Sequence, residues 1–135
     1  MDGVILTPLK QIHHSKGDIF HAMKASDVGF NGFGEAYFST ICKGEIKGWK
    51  KHSKMSLNIV VPIGVIKFVI YNKRNQEFFS TVLSQENYQR LTVEPGVWLA
   101  FKGLEKNNIL LNMASIEHNP KESINISLDE ISYKW

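Results

Sequence analysis

The sequence predicts an all-β domain closed into a sandwich or barrel, on three observations. Apolar and polar residues alternate in short, β-branched runs. Gly, Pro or Asn breaks each run, and no window of about 12 residues carries a helical apolar period. Short strands at this spacing close on one another because an open sheet would leave unpaired edges. In chain order the expected strands are Gly3–Thr7, Asp18–Met23, Glu35–Ile41, Glu45–Lys51, Met55–Val61, Val65–Tyr71, Glu77–Leu83, Tyr88–Val93, Val97–Lys102 and Asn108–Ala114. Turns are expected at Gly29–Gly34, Lys43–Gly44, Pro62–Gly64, Asn72–Gln76, Glu94–Gly96 and Gly103–Asn107, where Gly and Asn supply positive φ and Pro presets it. One helical turn is expected at Ser84–Asn87, capped by Ser84, and the aromatic-ended stretch Ser127–Trp135 is expected to dock on the domain.

At 135 residues, with 43% hydrophobic and 21% charged residues, the chain reads as a single folded domain over residues 1–135. The net charge of +3 is mild. It suits an anionic small molecule and falls short of the dense basic stripe of a nucleic-acid binder, so no nucleic-acid partner is expected. Cys42 has no second cysteine to pair with, which fits a reducing cytoplasm. The apolar run Val4-Ile5-Leu6 follows an acidic Asp2 and is too short for a signal peptide, and no stretch nears the ~18 apolar residues of a membrane span.

The densest polar stretch is Lys47-Gly48-Trp49-Lys50-Lys51-His52. On a regular strand Gly48, Lys50 and His52 share one face, and Lys47, Trp49 and Lys51 the other. An amine and an imidazole would then stand side by side, next to a glycine that leaves room for a ligand. The following strand adds Ser56 and Asn58, and the next one Lys67 and Tyr71. A lysine amid Val65-Ile66-Phe68-Val69-Ile70 is unusual, since burying its charge unpaired is costly. Trp49 and Trp98 offer flat faces that suit a sugar or a nucleobase. A metal centre with an open position needs three or four converging ligands, whereas the Pro95-Gly96 turn is followed by Val97-Trp98-Leu99 without histidine and His52 has no neighbouring ligand. No metal and no other cofactor is expected.

The order of motifs resembles the dTDP-4-dehydrorhamnose 3,5-epimerase family, a metal-free branch of the cupins. That family carries Gly-x-x-Arg-Gly-Leu-His, a strand, a turn and a second strand ending in Asp-Leu-Arg. Here the matching stretch is Gly44-Glu45-Ile46-Lys47-Gly48-Trp49-Lys50, then Leu57–Val61, Gly64 and Val65–Arg74. Leu83-Ser84-Gln85-Glu86-Asn87 is similar to the family's Leu-Ser-x-x-Asn, and Val93–Phe101 to its Ile-Pro-x-Gly-Phe-x-His-Gly-Phe. His118–Glu122 resembles Tyr-x-Pro-x-x-Glu, and Asp129–Trp135 the closing Asp-x-x-Ile-x-Trp. By this alignment the family's basic histidine falls on Lys50, its pocket lysine near Ser56, its proton-donating tyrosine near Asn112 and its second-motif histidine on Leu99.

The resemblance implies a cupin fold, a double-stranded β-helix or jelly roll. It also implies an isomerase of bacterial cell-surface sugar biosynthesis, acting beside the keto group of a dTDP-4-keto-6-deoxyhexose or a similar nucleotide sugar. A base removes the acidic α-proton, cations hold the enolate oxygen and an acid returns the proton. His52 is the expected base, with Lys50 or Lys67 stabilising the enolate. Asn58 would orient the sugar; Lys47, Tyr71, Trp98, Asn112 and His21 complete the expected substrate contacts. The acid would come from Tyr37, Tyr71 or Tyr88. The alternative is a sugar- or nucleotide-sugar-binding cupin that has lost its catalytic residues. Members of the family are typically homodimers with exchanged N-terminal strands, so residues 1–33, and Asp18–Met23 in particular, are the expected exchanged element.

Overall fold

A computed structural model describes residues 1–135. The alternating runs form β1 (Val4–Pro8), β2 (Gln11–Ile12), β3 (Ile19–Phe20), β4 (Glu35–Thr40), β5 (Ile46–His52) and β6 (Leu57–Ile63). They continue as β7 (Ile66–Asn72), β8 (Glu77–Leu83), β9 (Gln89–Val93), β10 (Trp98–Gly103), β11 (Ile109–Ala114) and β12 (Ser123–Asn125). Two five-stranded sheets result, ordered β1-β9-β6-β11-β4 and β12-β5-β10-β7-β8, with β2 and β3 as a separate hairpin. Every ladder pairing is antiparallel. This is the expected jelly roll, an all-β cupin barrel. No helix is long and apolar enough to cross a membrane.

Alternation decides which side chains meet between the sheets. Leu57, Ile59, Val61, Leu91, Val93 and Leu110 from the first sheet pack against Ile66, Phe68, Ile70 and Leu99 from the second, with Val97 joining them from the bend before β10. Each such side chain contributes roughly 1.5–3 kcal/mol on full burial. A smaller cluster of Trp49, Val69, Trp98, Ala100 and Ile131 lies on the outer face of the second sheet, with Tyr71, Ile126, Tyr133 and Trp135 packed on it. The stretch after β12 therefore docks as its aromatic content predicts.

Three expectations change. Asp18–Met23 shrinks to the two residues of β3, paired only with β2, because a two-strand ribbon with exposed Ile12 and Ile19 has no sheet to join within the chain. Ser84–Asn87 closes as a turn and not a helix: the Asn87 amide donates to Ser84 Oγ at 3.2 Å. The unexpected β12 has little alternation of its own and forms because β5 offers a free edge, with Ser123 opposite His52 and Asn125 opposite Lys50.

Candidate active site

Between the open ends of the two sheets lies a cavity of about 310 Å³. The β5 sheet contributes Lys47, Gly48, Lys50, His52, Leu99 and Phe101 to its wall; the opposite sheet contributes Tyr37, Ser39, Leu57, Ile59, Leu110 and Asn112; Asn125 of β12 closes one side. Half the lining is apolar and the polar groups converge, which is how small-molecule sites are built.

The placement of Lys47 departs from strict alternation. Leu99 lies opposite Lys50 and Phe101 opposite Lys47, so the single residue Ala100 faces both Gly48 and Trp49 across a β-bulge. The extra residue returns Lys47 to the inner face, beside Gly48, Lys50 and His52. Its amine donates to the Thr40 carbonyl at 2.6 Å, bridging the two sheets. Gly48 has φ 151°, and a Cβ there would stand 2.7 Å from Ala100 Cα. The glycine thus makes room for the neighbouring strand, not for a ligand.

His52 is buried, and its Nδ1 forms a short contact with the Glu122 carboxylate. Glu122 sits at the end of a 3-10 turn, Pro120–Glu122, that Asn119 caps by accepting from the Lys121 amide at 3.0 Å. Its second oxygen accepts from the Lys54 and Met55 amides at 3.1 and 3.2 Å. Burial pushes the Glu122 carboxyl up, but the hydrogen bonds from His52, Lys54 and Met55 and the charge of His52 outweigh it. Its pKa lies below the ordinary glutamate value. With Nδ1 fixed by a carboxylate, Nε2 is the imidazole nitrogen left to the cavity. Lys50 has no acidic partner. On the opposite wall Asn112 Nδ2 donates to the Tyr37 hydroxyl at 3.0 Å, while Asn112 Oδ1 is buried without any partner.

Of the residues given catalytic or substrate-binding roles from sequence, His52, Lys50, Lys47, Asn112 and Tyr37 converge on the cavity, whereas Asn58, Lys67, Tyr71, Trp98, His21 and Tyr88 do not. Asn58 projects from the other face of its sheet, because on β6 Leu57 and Ile59 point inward. There it donates to the Gly29 carbonyl and accepts from Arg90 Nε at 3.2 Å and Thr92 Oγ1 at 2.6 Å. Arg90, fully buried, also donates to the Ala22 and Val28 carbonyls and pairs with Asp27. The Lys24 amide and then Arg90 hold the Asp27 carboxyl below its ordinary value, against the opposing effect of desolvation. Lys67, Tyr71 and Trp98 all lie on the outer face of the β5 sheet: Trp98 opposes Tyr71 in register, and Lys67 rests on Tyr133. His21 lies by the hairpin, its carbonyl accepting from the Tyr88 hydroxyl at 2.8 Å.

Glu122 and Asn125 have no role in the reading from sequence. Both follow Asn119-Pro120, an Asn-Pro start that marks a capped turn but not what its last carboxylate will meet. No three His, Cys, Asp or Glu side chains cluster in the chain, and His52 is the one imidazole on the cavity wall.

Known proteins share this architecture. A dTDP sugar isomerase from Desulfovibrio desulfuricans G20 superposes with a TM-score of 0.90 at 30% identity, over 95% of this chain and 86% of that one. The sugar 3,4-ketoisomerase QdtA from Thermoanaerobacterium thermosaccharolyticum, in complex with TDP, gives 0.81 at 21% identity over 92% and 88%. The dTDP-6-deoxy-D-glucose-3,5-epimerase RmlC from Legionella pneumophila Philadelphia 1, in complex with dTDP-4-keto-L-rhamnose, gives 0.83 at 17% over 95% and 74%. No curated sequence matches the chain. Residues 2–131 match the family described as FdtA, WxcM-like, C-terminal, and the chain belongs to that family.

Proposed function

We propose that the chain is a nucleotide-sugar epimerase or ketoisomerase that moves a proton beside the keto group of a dTDP-4-keto-6-deoxyhexose. The observation that carries this reading is His52, held from behind by Glu122, in the wall of a cavity whose facing wall presents Tyr37. Glu122 holds the imidazole by Nδ1 and stabilises the imidazolium, so Nε2 can remove the proton on the carbon next to the carbonyl. The enolate oxygen then develops negative charge within reach of the Lys50 and Lys47 amines that line the same wall. Tyr37 accepts from Asn112, which leaves the phenol proton free for the sugar. Base and acid thus stand on opposite sheets, an arrangement that suits delivery to the far side of a planar intermediate.

The test is incubation with dTDP-4-keto-6-deoxyglucose in deuterated water, with NMR detection at C3 and C5. Deuterium should enter with the intact protein and not with His52→Ala. Tyr37→Phe should keep exchange while product formation falls about 10²-fold or more. A second reading, a nucleotide-sugar-binding module without activity, draws on Lys50 and Asn112 standing where the family pattern has histidine and tyrosine. Calorimetric binding without exchange would establish it.

Cell-surface sugar biosynthesis in the cytoplasm follows from the substrate class, as part of this proposal. The proposal also includes the homodimer through residues 1–33 that the family resemblance implies, supported by the β2–β3 hairpin, which pairs with neither sheet and exposes Ile12 and Ile19. Sedimentation of the intact chain and of an Ile12→Lys, Ile19→Lys variant checks it: the intact chain should run as a dimer and the variant as a monomer.

A further inference from the structure

We infer that Lys67 is a positioning residue for the His52–Glu122 pair, acting from the far face of the β5 sheet by pinning the 119–135 segment that carries Glu122. The Lys67 amine stands 5.0 Å from the Tyr133 ring centroid and 5.9 Å from that of Trp135, with no carboxylate paired to it. A cation over aromatic faces attracts both rings, more strongly where water is partly excluded. The rings in turn pack on Phe78 and on Trp49, at 5.3 and 6.0 Å between centroids.

Trp49 passes that restraint to the site. Its indole Nε1 donates to the Leu128 carbonyl at 3.3 Å, and its backbone exchanges two hydrogen bonds with Ile126 at 3.1 and 3.0 Å. From Ile126 the strand runs back along β5 with Asn125 opposite Lys50 and Ser123 opposite His52, directly after Glu122. Between Asn119 and Asn125 no apolar side chain is buried, and Ile124 is 54% exposed. The apolar anchors of the segment therefore begin at Ile126 and continue through Ile131 to the ring pair beneath which Lys67 sits. A carboxylate that must fix one imidazole nitrogen tolerates only about 0.5 Å of misplacement, so anchoring at that distance matters at the site.

The experiment compares the intact chain with Lys67→Met, Lys67→Arg and, as a control on the same segment, the exposed Lys134→Met. Amide hydrogen exchange at Ile126 reads the anchoring, and the far-downfield proton resonance of a His Nδ1–H bonded to a carboxylate reads the pair. In Lys67→Met, exchange at Ile126 should rise about fivefold and the downfield resonance should broaden or vanish. Lys67→Arg should restore both, and Lys134→Met should change neither. Equal exchange in Lys67→Met and the intact chain overturns the inference, as does faster exchange with an unchanged resonance. If Lys67→Met fails to fold, Trp135→Leu removes the ring and keeps the apolar contact, and the same two readouts support or overturn the inference in the same way. The catalytic meaning rests on the function proposed above. Absence of deuterium exchange into a nucleotide sugar would defeat that function and leave the pinning to be judged by the two readouts alone.

Discussion

Two asparagines on neighbouring regions of one sheet, Asn58 and Asn112, are each only 2% exposed, yet they belong to clusters of opposite character. Asn58 faces outward, and its cluster with Arg90, Thr92 and Asp27 ties the 22–29 loop to the barrel through hydrogen bonds that close on one another. Asn112 faces inward, where Asn112 Oδ1, His52 Nε2 and the Lys50 amine have no protein partner. Burial of polar groups is common to both. What separates the fastening from the proposed reaction centre is hydrogen-bonding capacity left unused toward a cavity.

The contrast can be broken at either end. The largest effect should come from His52→Ala, which lowers deuterium exchange at the sugar about 10²–10⁴-fold while urea unfolding stays cooperative. Arg90→Met should do the reverse: it strands the Ala22 and Val28 carbonyls and the Asp27 carboxylate and costs about 3–5 kcal/mol in the urea midpoint analysis. The exchange rate per folded molecule should be unchanged. A sharper comparison uses one substitution at both asparagines. Asn58→Leu leaves the Gly29 carbonyl, the Thr92 hydroxyl and Arg90 Nε without partners and should cost about 1–3 kcal/mol, whereas Asn112→Leu removes an amide whose oxygen is unsatisfied and whose nitrogen bonds only the half-exposed Tyr37, and should fall within about 1 kcal/mol of the parent. Equal losses at the two positions would erase the distinction.

The smallest effect is one of pH. The Glu122 carboxyl is depressed below its ordinary 4.5, so its stabilisation is present above that value and is lost as pH falls from there through the lower, folded-state pKa. Chemical denaturation from pH 6 down to pH 3 should therefore show a steeper loss in the parent than in Glu122→Gln.

Most of the barrel is legible in the sequence because strand alternation is a local property. Val65–Tyr71 and Val97–Lys102 reappear as β7 and β10 within a residue or two, since their β-branched and aromatic runs end at Gly or Asn. Sidedness is harder to read. Asn58 shares its strand with apolar residues at both neighbours, so period two alone does not say which face is the interior. Lys67 looks like a buried charge because its neighbours are apolar on both sides, yet it sits over rings contributed by residues 133 and 135. Those pairings are distant in sequence, as is Glu122 with His52, and no local pattern announces them.

The bulge at Gly48 and Trp49 gives the site a reading frame. Because two residues of β5 occupy the space of one on β10, removing either would restore plain alternation and turn one end of the lysine-histidine row toward solvent. Every amine and imidazole would survive such a deletion in composition, and the constellation would still be lost. Family members that differ in length at this point should be sorted first by that insertion, and only then by which side chains they carry.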